Sequence, residues 1–139
     1  MISSTDPKIV TKIKSLNPKW YYTWGPTAVL GLDDIPFTPM CWGANSVSKL
    51  GAQVPVLLGF NEPDGAAQSN LTPQQAFNLW PKLESLATRL GSPAIAGNAS
   101  KVGSWLETFS NFNPKFDFES NVVLVHSILE AIRQTTGPD

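Results

Sequence analysis

The chain has 139 residues, 42% of them apolar and 15% charged, which fits one folded globular domain and argues against disorder. Ten Lys+Arg against eleven Asp+Glu give a net charge of −1, so the basic excess of a nucleic-acid binder is missing. No apolar run reaches the roughly 18 residues that a membrane-spanning helix needs. With one cysteine (Cys41) and one histidine (His126), an intrachain disulfide and a Cys/His zinc cluster are also out.

In chain order, Asp6-Pro7 supplies a helix start, and Ile9, Val10, Ile13 and Leu16 follow at helical spacing until Asn17-Pro18. Lys8, Lys12, Lys14 and Lys19 form a solvated basic face. Lys19 to Trp24 is aromatic-rich, ends at Gly25-Pro26, and is predicted as a strand. Phe37 to Trp42 is a second short strand, and Ser46 to Leu50 a short helix. Val54 to Phe60 is nearly continuous apolar sequence, the pattern of a parallel strand covered on both faces; Pro55 stands near its start, where proline is tolerated.

Thr72 and Gln75 then make a capping box with Pro73 at the first helical position. The apolar stripe Ala76, Phe77, Leu79, Trp80, Leu83, Leu86, Ala87 and Leu90 runs to Gly91, and Pro81 should kink or split that helix. Ala94 to Ala99 is a predicted strand, and Ser104 with Glu107 caps a short helix through Trp105, Leu106 and Phe109. Val122 to Val125 and Ser127 to Gln134 complete the alternation as strand and helix. The pattern βαβα points to an α/β fold with a parallel sheet of about five strands.

In such sheets functional residues gather at the C-terminal strand ends. That rule directs attention to Trp24, Trp42, Asn61, Glu62, Asn98, Ser100 and His126. The segment Gly59-Phe60-Asn61-Glu62-Pro63-Asp64 stands out. An apolar strand delivers Glu62 to a water-poor rim, a setting suited to a general acid, and Asn61 offers a donor and an acceptor to a substrate hydroxyl. Asn61-Glu62-Pro63-Asp64 could equally make an ordinary polar turn. The five tryptophans are read first as core, although flat indoles also stack on sugar rings. Asn70-Leu71-Thr72 and Asn98-Ala99-Ser100 match glycosylation acceptors, and Met1 to Val10 lacks the apolar segment of a signal peptide, leaving localisation open.

Six blocks occur in order: Trp20-Tyr21-Tyr22-Thr23-Trp24-Gly25, Phe37-Thr38-Pro39-Met40-Cys41-Trp42-Gly43, Leu58-Gly59-Phe60-Asn61-Glu62-Pro63-Asp64, Ala67-Gln68-Ser69-Asn70-Leu71-Thr72-Pro73, Leu79-Trp80-Pro81-Lys82-Leu83 and Ser92-Pro93-Ala94-Ile95-Ala96-Gly97-Asn98-Ala99. Together they resemble the catalytic core of glycosyl hydrolases related to the alkali-sensitive-linkage cell-wall protein, retaining TIM-barrel glycosidases that include endo-β-1,3-glucanases. The resemblance is strongest over residues 20–105.

The resemblance implies a partial (β/α)8 barrel within a single domain spanning residues 1–139, since a whole barrel takes about 250 residues. It implies hydrolysis of β-1,3-linked cell-wall glucan, with Glu62 as general acid/base and Asn61 binding the sugar beside the scissile bond. Trp24, Trp42, Asn98, Ser100 and His126 become substrate-binding candidates on the same footing. No cofactor and no metal are expected.

Met1 to Asn17 has no counterpart of the family's first strand, and His126 lacks the Trp-Tyr pair that usually follows such a histidine. The second carboxylate of a retaining pair is not identified among Glu84, Glu107, Glu119 and Glu130, and Asp64, in a turn, is expected to point elsewhere. Two alternatives therefore accompany hydrolysis: a carbohydrate-binding remnant without activity, and a truncated fragment that self-associates through open sheet edges.

Overall fold

The computed structural model describes residues 7–120. His126, the strand expected over Val122 to Val125 and the helix expected over Ser127 to Gln134 lie outside the described residues. Among the described residues four short strands and four helices run in the order α1 (Pro7–Ser15), β1 (Tyr21–Tyr22), β2 (Phe37–Thr38), α2 (Ala44–Val47), β3 (Val54–Leu57), α3 (Pro73–Leu86), β4 (Ala87–Leu90) and α4 (Trp105–Ser110).

Every strand pairing is parallel and joins neighbours in chain order. β1 lies beside β2 with Tyr21 opposite Phe37, and β3 lies beside β4 with Val54 opposite Ala87 and Leu57 opposite Leu90. A parallel bridge between Met40 and Leu58 joins the two pairs, and another between Gly91 and Phe118 adds a fifth segment. Parallel neighbours need crossover connections, and α2, α3 and α4 lie in those between β2 and β3, β3 and β4, and β4 and Phe118. The fold is thus α/β with short parallel strands, as the alternating pattern predicts.

The core sits between β3–β4 and the helices that follow them. α3 starts on the expected capping box: Thr72 Oγ1 accepts from the Gln75 N–H at 3.2 Å, and Gln75 Oε1 accepts from the Thr72 N–H at 2.9 Å. Ala76, Trp80, Leu83 and Leu86 form its buried face. The Trp80 ring packs edge-on against Phe60 at 5.7 Å and Phe109 at 5.1 Å, while its Nε1 donates to the Lys115 carbonyl at 2.9 Å. Trp105 stacks on Phe109, and its Nε1 donates to the Leu71 carbonyl at 2.7 Å. Trp80 is fully buried and Trp105 half-buried, and each satisfies its single donor, which stabilises a buried tryptophan.

Four expectations are corrected. The helix ends at Leu86, and Ala87–Leu90 is the strand β4 with no intervening loop. Ala87 and Leu90 extend the helical stripe in sequence, yet strand pairing with Val54 and Leu57 overrides that periodicity. The predicted strand Ala94 to Ala99 accordingly shrinks to a bridge from Ala94 to Asn61, because the strand that pairs with β3 begins seven residues earlier, at Ala87. Pro81 does not split α3: it is exposed, and Trp80 and Leu83 on the other face keep the helix docked. The short helix expected over Ser46 to Leu50 runs instead over Ala44–Val47.

The second capping box is half formed. Ser104 Oγ accepts from the Glu107 N–H at 3.1 Å, but the Glu107 carboxylate accepts from the Gly103 N–H one residue outside the cap. No helix among the described residues is long and apolar enough to cross a membrane.

Candidate active site

Glu62 lies just beyond the bridge that ends the apolar strand. Asn61 pairs with Ala94, and three backbone bonds continue β3 past Leu58: Ala94 N–H to the Phe60 carbonyl at 2.9 Å, Asn61 N–H to the Trp42 carbonyl at 3.0 Å, and Glu62 N–H to the Ala94 carbonyl at 2.7 Å. Residues 61–62 are therefore gripped from both neighbouring strand ends. The Glu62 carbonyl accepts from the Gly65 N–H at 2.9 Å, closing a tight turn.

Glu62 has φ of 42°, in the left-handed region that non-glycine residues seldom occupy. Such conformations cost about 1–3 kcal/mol and cluster at sites where geometry serves function.

Asn61 is buried, and its Nδ2 donates to Gln68 Oε1 at 3.4 Å. Glu62 is half-buried. Its carboxylate has no hydrogen bond or ion pair among the described residues.

Most other acids here are committed. Asp64 accepts from the Ala96 and Gly97 N–H groups, Glu84 from Lys115, Glu107 from Gly103 and Asp117 from Leu90. Asp34 pairs with Lys14 at 2.9 Å, and that hydrogen bond holds its carboxyl below the usual range.

The tryptophans divide. Trp24 is 54% exposed, two residues past β1, and Trp42 is half-buried, its carbonyl held by Asn61. Trp20 is exposed as well, whereas Trp80 is fully buried, so the core reading holds for Trp80 and fails for Trp20 and Trp24.

Asn98 and Ser100 do not end a strand. They lie in an exposed turn, with Asn98 Oδ1 accepting from the Ser100 N–H at 2.9 Å, four to six residues beyond the last pairing residue, Ala94. Cys41 is buried, and burial pushes its thiol up to about 12, which makes it an unreactive packing residue.

An apolar cavity of about 290 Å³ opens beside Phe37, Pro39, Leu50, Val54, Leu57 and Leu86 and includes none of the site candidates. Among the described residues no three acidic, histidine or cysteine side chains gather as metal ligands would.

The sequence matches the family described as glycosyl hydrolase catalytic core over residues 1–133. The chain belongs to that family. No curated protein matches it.

Among solved structures, this glycosyl hydrolase core resembles a GH128 subgroup I endo-β-1,3-glucanase from Amycolatopsis mediterranei in complex with laminaritriose. The two are 33% identical with a TM-score of 0.68, over 81% of this chain and 52% of that one. A GH128 subgroup III curdlan-specific exo-β-1,3-glucanase from Blastomyces gilchristii, in complex with glucose, is 29% identical with a TM-score of 0.63, over 84% of this chain and 56% of that one. A GH128 subgroup VII oligosaccharide-binding protein from Trichoderma gamsii shares the fold, with a TM-score of 0.67 at 24% identity, over 84% of this chain and 52% of that one. The glycosyl hydrolase core thus spans about half the length of these structures.

Sequence reasoning missed two contributors. Gln68 reaches Asn61, and Asp64, expected to point away, ties the turn to residues 96–97. The signal for Asp64 was the Pro63-Asp64-Gly65 turn, because aspartates in turns commonly bond nearby backbone.

Proposed function

We propose that this glycosyl hydrolase core acts on β-1,3-linked glucan, with Glu62 as general acid/base at the end of one strand of a partial (β/α)8 barrel. The observation that carries the reading is the state of Glu62: a strained strand-end residue whose carboxylate is unbonded among the described residues, where four other acids are spent on backbone N–H groups. Parallel strands adjacent in chain order are what an arc of such a barrel contains, and they support the barrel reading. The two similar structures described as β-1,3-glucanases support the substrate class.

In this reading Glu62 protonates the glycosidic oxygen as the bond to the anomeric carbon breaks, then takes a proton from the water that completes hydrolysis. Asn61, already held by Trp42 and Gln68, hydrogen-bonds a hydroxyl of the sugar at the scissile bond. Trp24 and Trp42 offer faces for glucosyl rings, and Asn98, Ser100 and His126 donate further contacts. The retaining partner carboxylate is not assigned.

Reducing-sugar release from laminarin by the purified chain and by Glu62→Gln tests the mechanism. The expected outcome is loss of about 10²–10⁴ in rate for the variant with binding retained. Equal rates in both proteins would remove Glu62 from the mechanism.

A second reading is carbohydrate binding without hydrolysis. It is favoured by the engagement of Asp64, Glu84, Glu107 and Asp117 with backbone, which leaves none of them free to act as the partner carboxylate. It expects no release by either protein and equal laminarin affinity in both.

A further inference from the structure

We infer that Asp64 is a positioning residue, holding Glu62 and the Ala96–Gly97 backbone in one hydrogen-bonded unit; its consequence for glucan rests on the function proposed above. Three bonds stitch segment 62–64 to segment 94–97. Glu62 N–H donates to the Ala94 carbonyl at 2.7 Å, and the Asp64 carboxylate accepts from Ala96 N–H at 2.9 Å and from Gly97 N–H at 2.7 Å. The two carboxylate bonds are charge-assisted, the stronger class of protein hydrogen bond. They return the chain to the backbone run that also receives the Glu62 N–H, so the ring closes around Glu62.

Glu62 needs that closure. Its left-handed φ of 42° persists only where surrounding contacts over-determine it. The Gly65 bond to the Glu62 carbonyl closes the turn from within, the Asn61 bond to Trp42 and the Leu71 bond to Pro63 hold its flanks, and the tie to residues 94–97 holds it from across.

Gly97 fits this arrangement because a β-carbon there would stand 2.9 Å from Asp64 Oδ2, too close for the carboxylate to keep its place. The same tie sets where the exposed turn bearing Asn98 and Ser100 begins, one residue after Gly97. Asp64 touches no reacting atom in this scheme. It acts through the conformation of Glu62 and the placement of that turn.

The test uses the full chain with Asp64→Ala, Asp64→Asn and Gly97→Ala, reading amide hydrogen exchange by NMR and affinity for laminaripentaose. In Asp64→Ala the amides of Ala96 and Gly97 should exchange at least about tenfold faster, as expected for lost bonds to a charged acceptor. The amide of Glu62 should accelerate with them, and laminaripentaose should bind about fivefold more weakly.

Asp64→Asn, which keeps one acceptor oxygen, should lie between the two. Gly97→Ala should produce the same coupled loss from the opposite side, and it serves if Asp64→Ala does not fold.

Faster exchange at Ala96 and Gly97 with Glu62 unchanged would overturn the inference, reducing Asp64 to a loop tie. If the unmodified chain fails to bind laminaripentaose, the glucan reading falls, and exchange at Glu62 alone then decides the role of Asp64.

Discussion

The stretch from α1 through β2 buries few of its apolar residues, and the stretch from β3 through α4 buries many. In the first, α1 buries no residue, Leu16, Trp20, Trp24 and Leu30 are exposed, and only Val29 and Leu32 of the β1–β2 connection are buried. In the second, Leu57, Phe60, Trp80, Leu83 and Phe109 have no accessible surface at all. The difference is coverage. β3 and β4 are roofed by α3, whose partner α4 adds Phe109 to the same cluster, whereas the connection from β1 to β2 contains no helix. Burial of the central cluster follows the helices that lie over β3 and β4.

The sharpest way to break that contrast is Trp80→Ala. Removing a fully buried indole that packs on Phe60 and Phe109 should cost about 3–5 kcal/mol of stability, read as a lower urea midpoint. Thr72→Ala removes only the cap of the covering helix and should cost about 1 kcal/mol in the same measurement. Trp24→Ala, on the uncovered side, should change stability by no more than about 0.5 kcal/mol while weakening laminaripentaose binding. A Trp24→Ala protein that unfolds as readily as Trp80→Ala would show that the two stretches are not different in kind.

The same division explains what the sequence made legible. The continuous apolar run before Asn61, the Thr72 capping box and the six ordered motif blocks each state their meaning locally, and β3, α3, and the strand-end position of Glu62 follow from them. The start of β4 does not, because Ala87 and Leu90 satisfy helical and strand patterns alike; only pairing with Val54 and Leu57 decides between them. Misplacing that strand carried Asn98 and Ser100 to a strand end they do not occupy. Which tryptophans are covered depends on helices distant in sequence, so Trp80 and Trp24 look alike until the chain is folded. The Asp64 contact spans 32 and 33 residues and had no local signature beyond a turn.

The direct passage from Leu86 of α3 to Ala87 of β4 has a consequence for how this chain tolerates changes in length. A single residue inserted at that junction would have to be absorbed either by rotating α3 by about 100° or by slipping β4 one position along β3, since no slack exists between them. Slippage would turn every β4 side chain to the opposite face and move Ala94 away from Asn61. The loop over residues 23–36 carries no such constraint, so insertions and deletions between variants of this protein should accumulate there and be purged at 86–87.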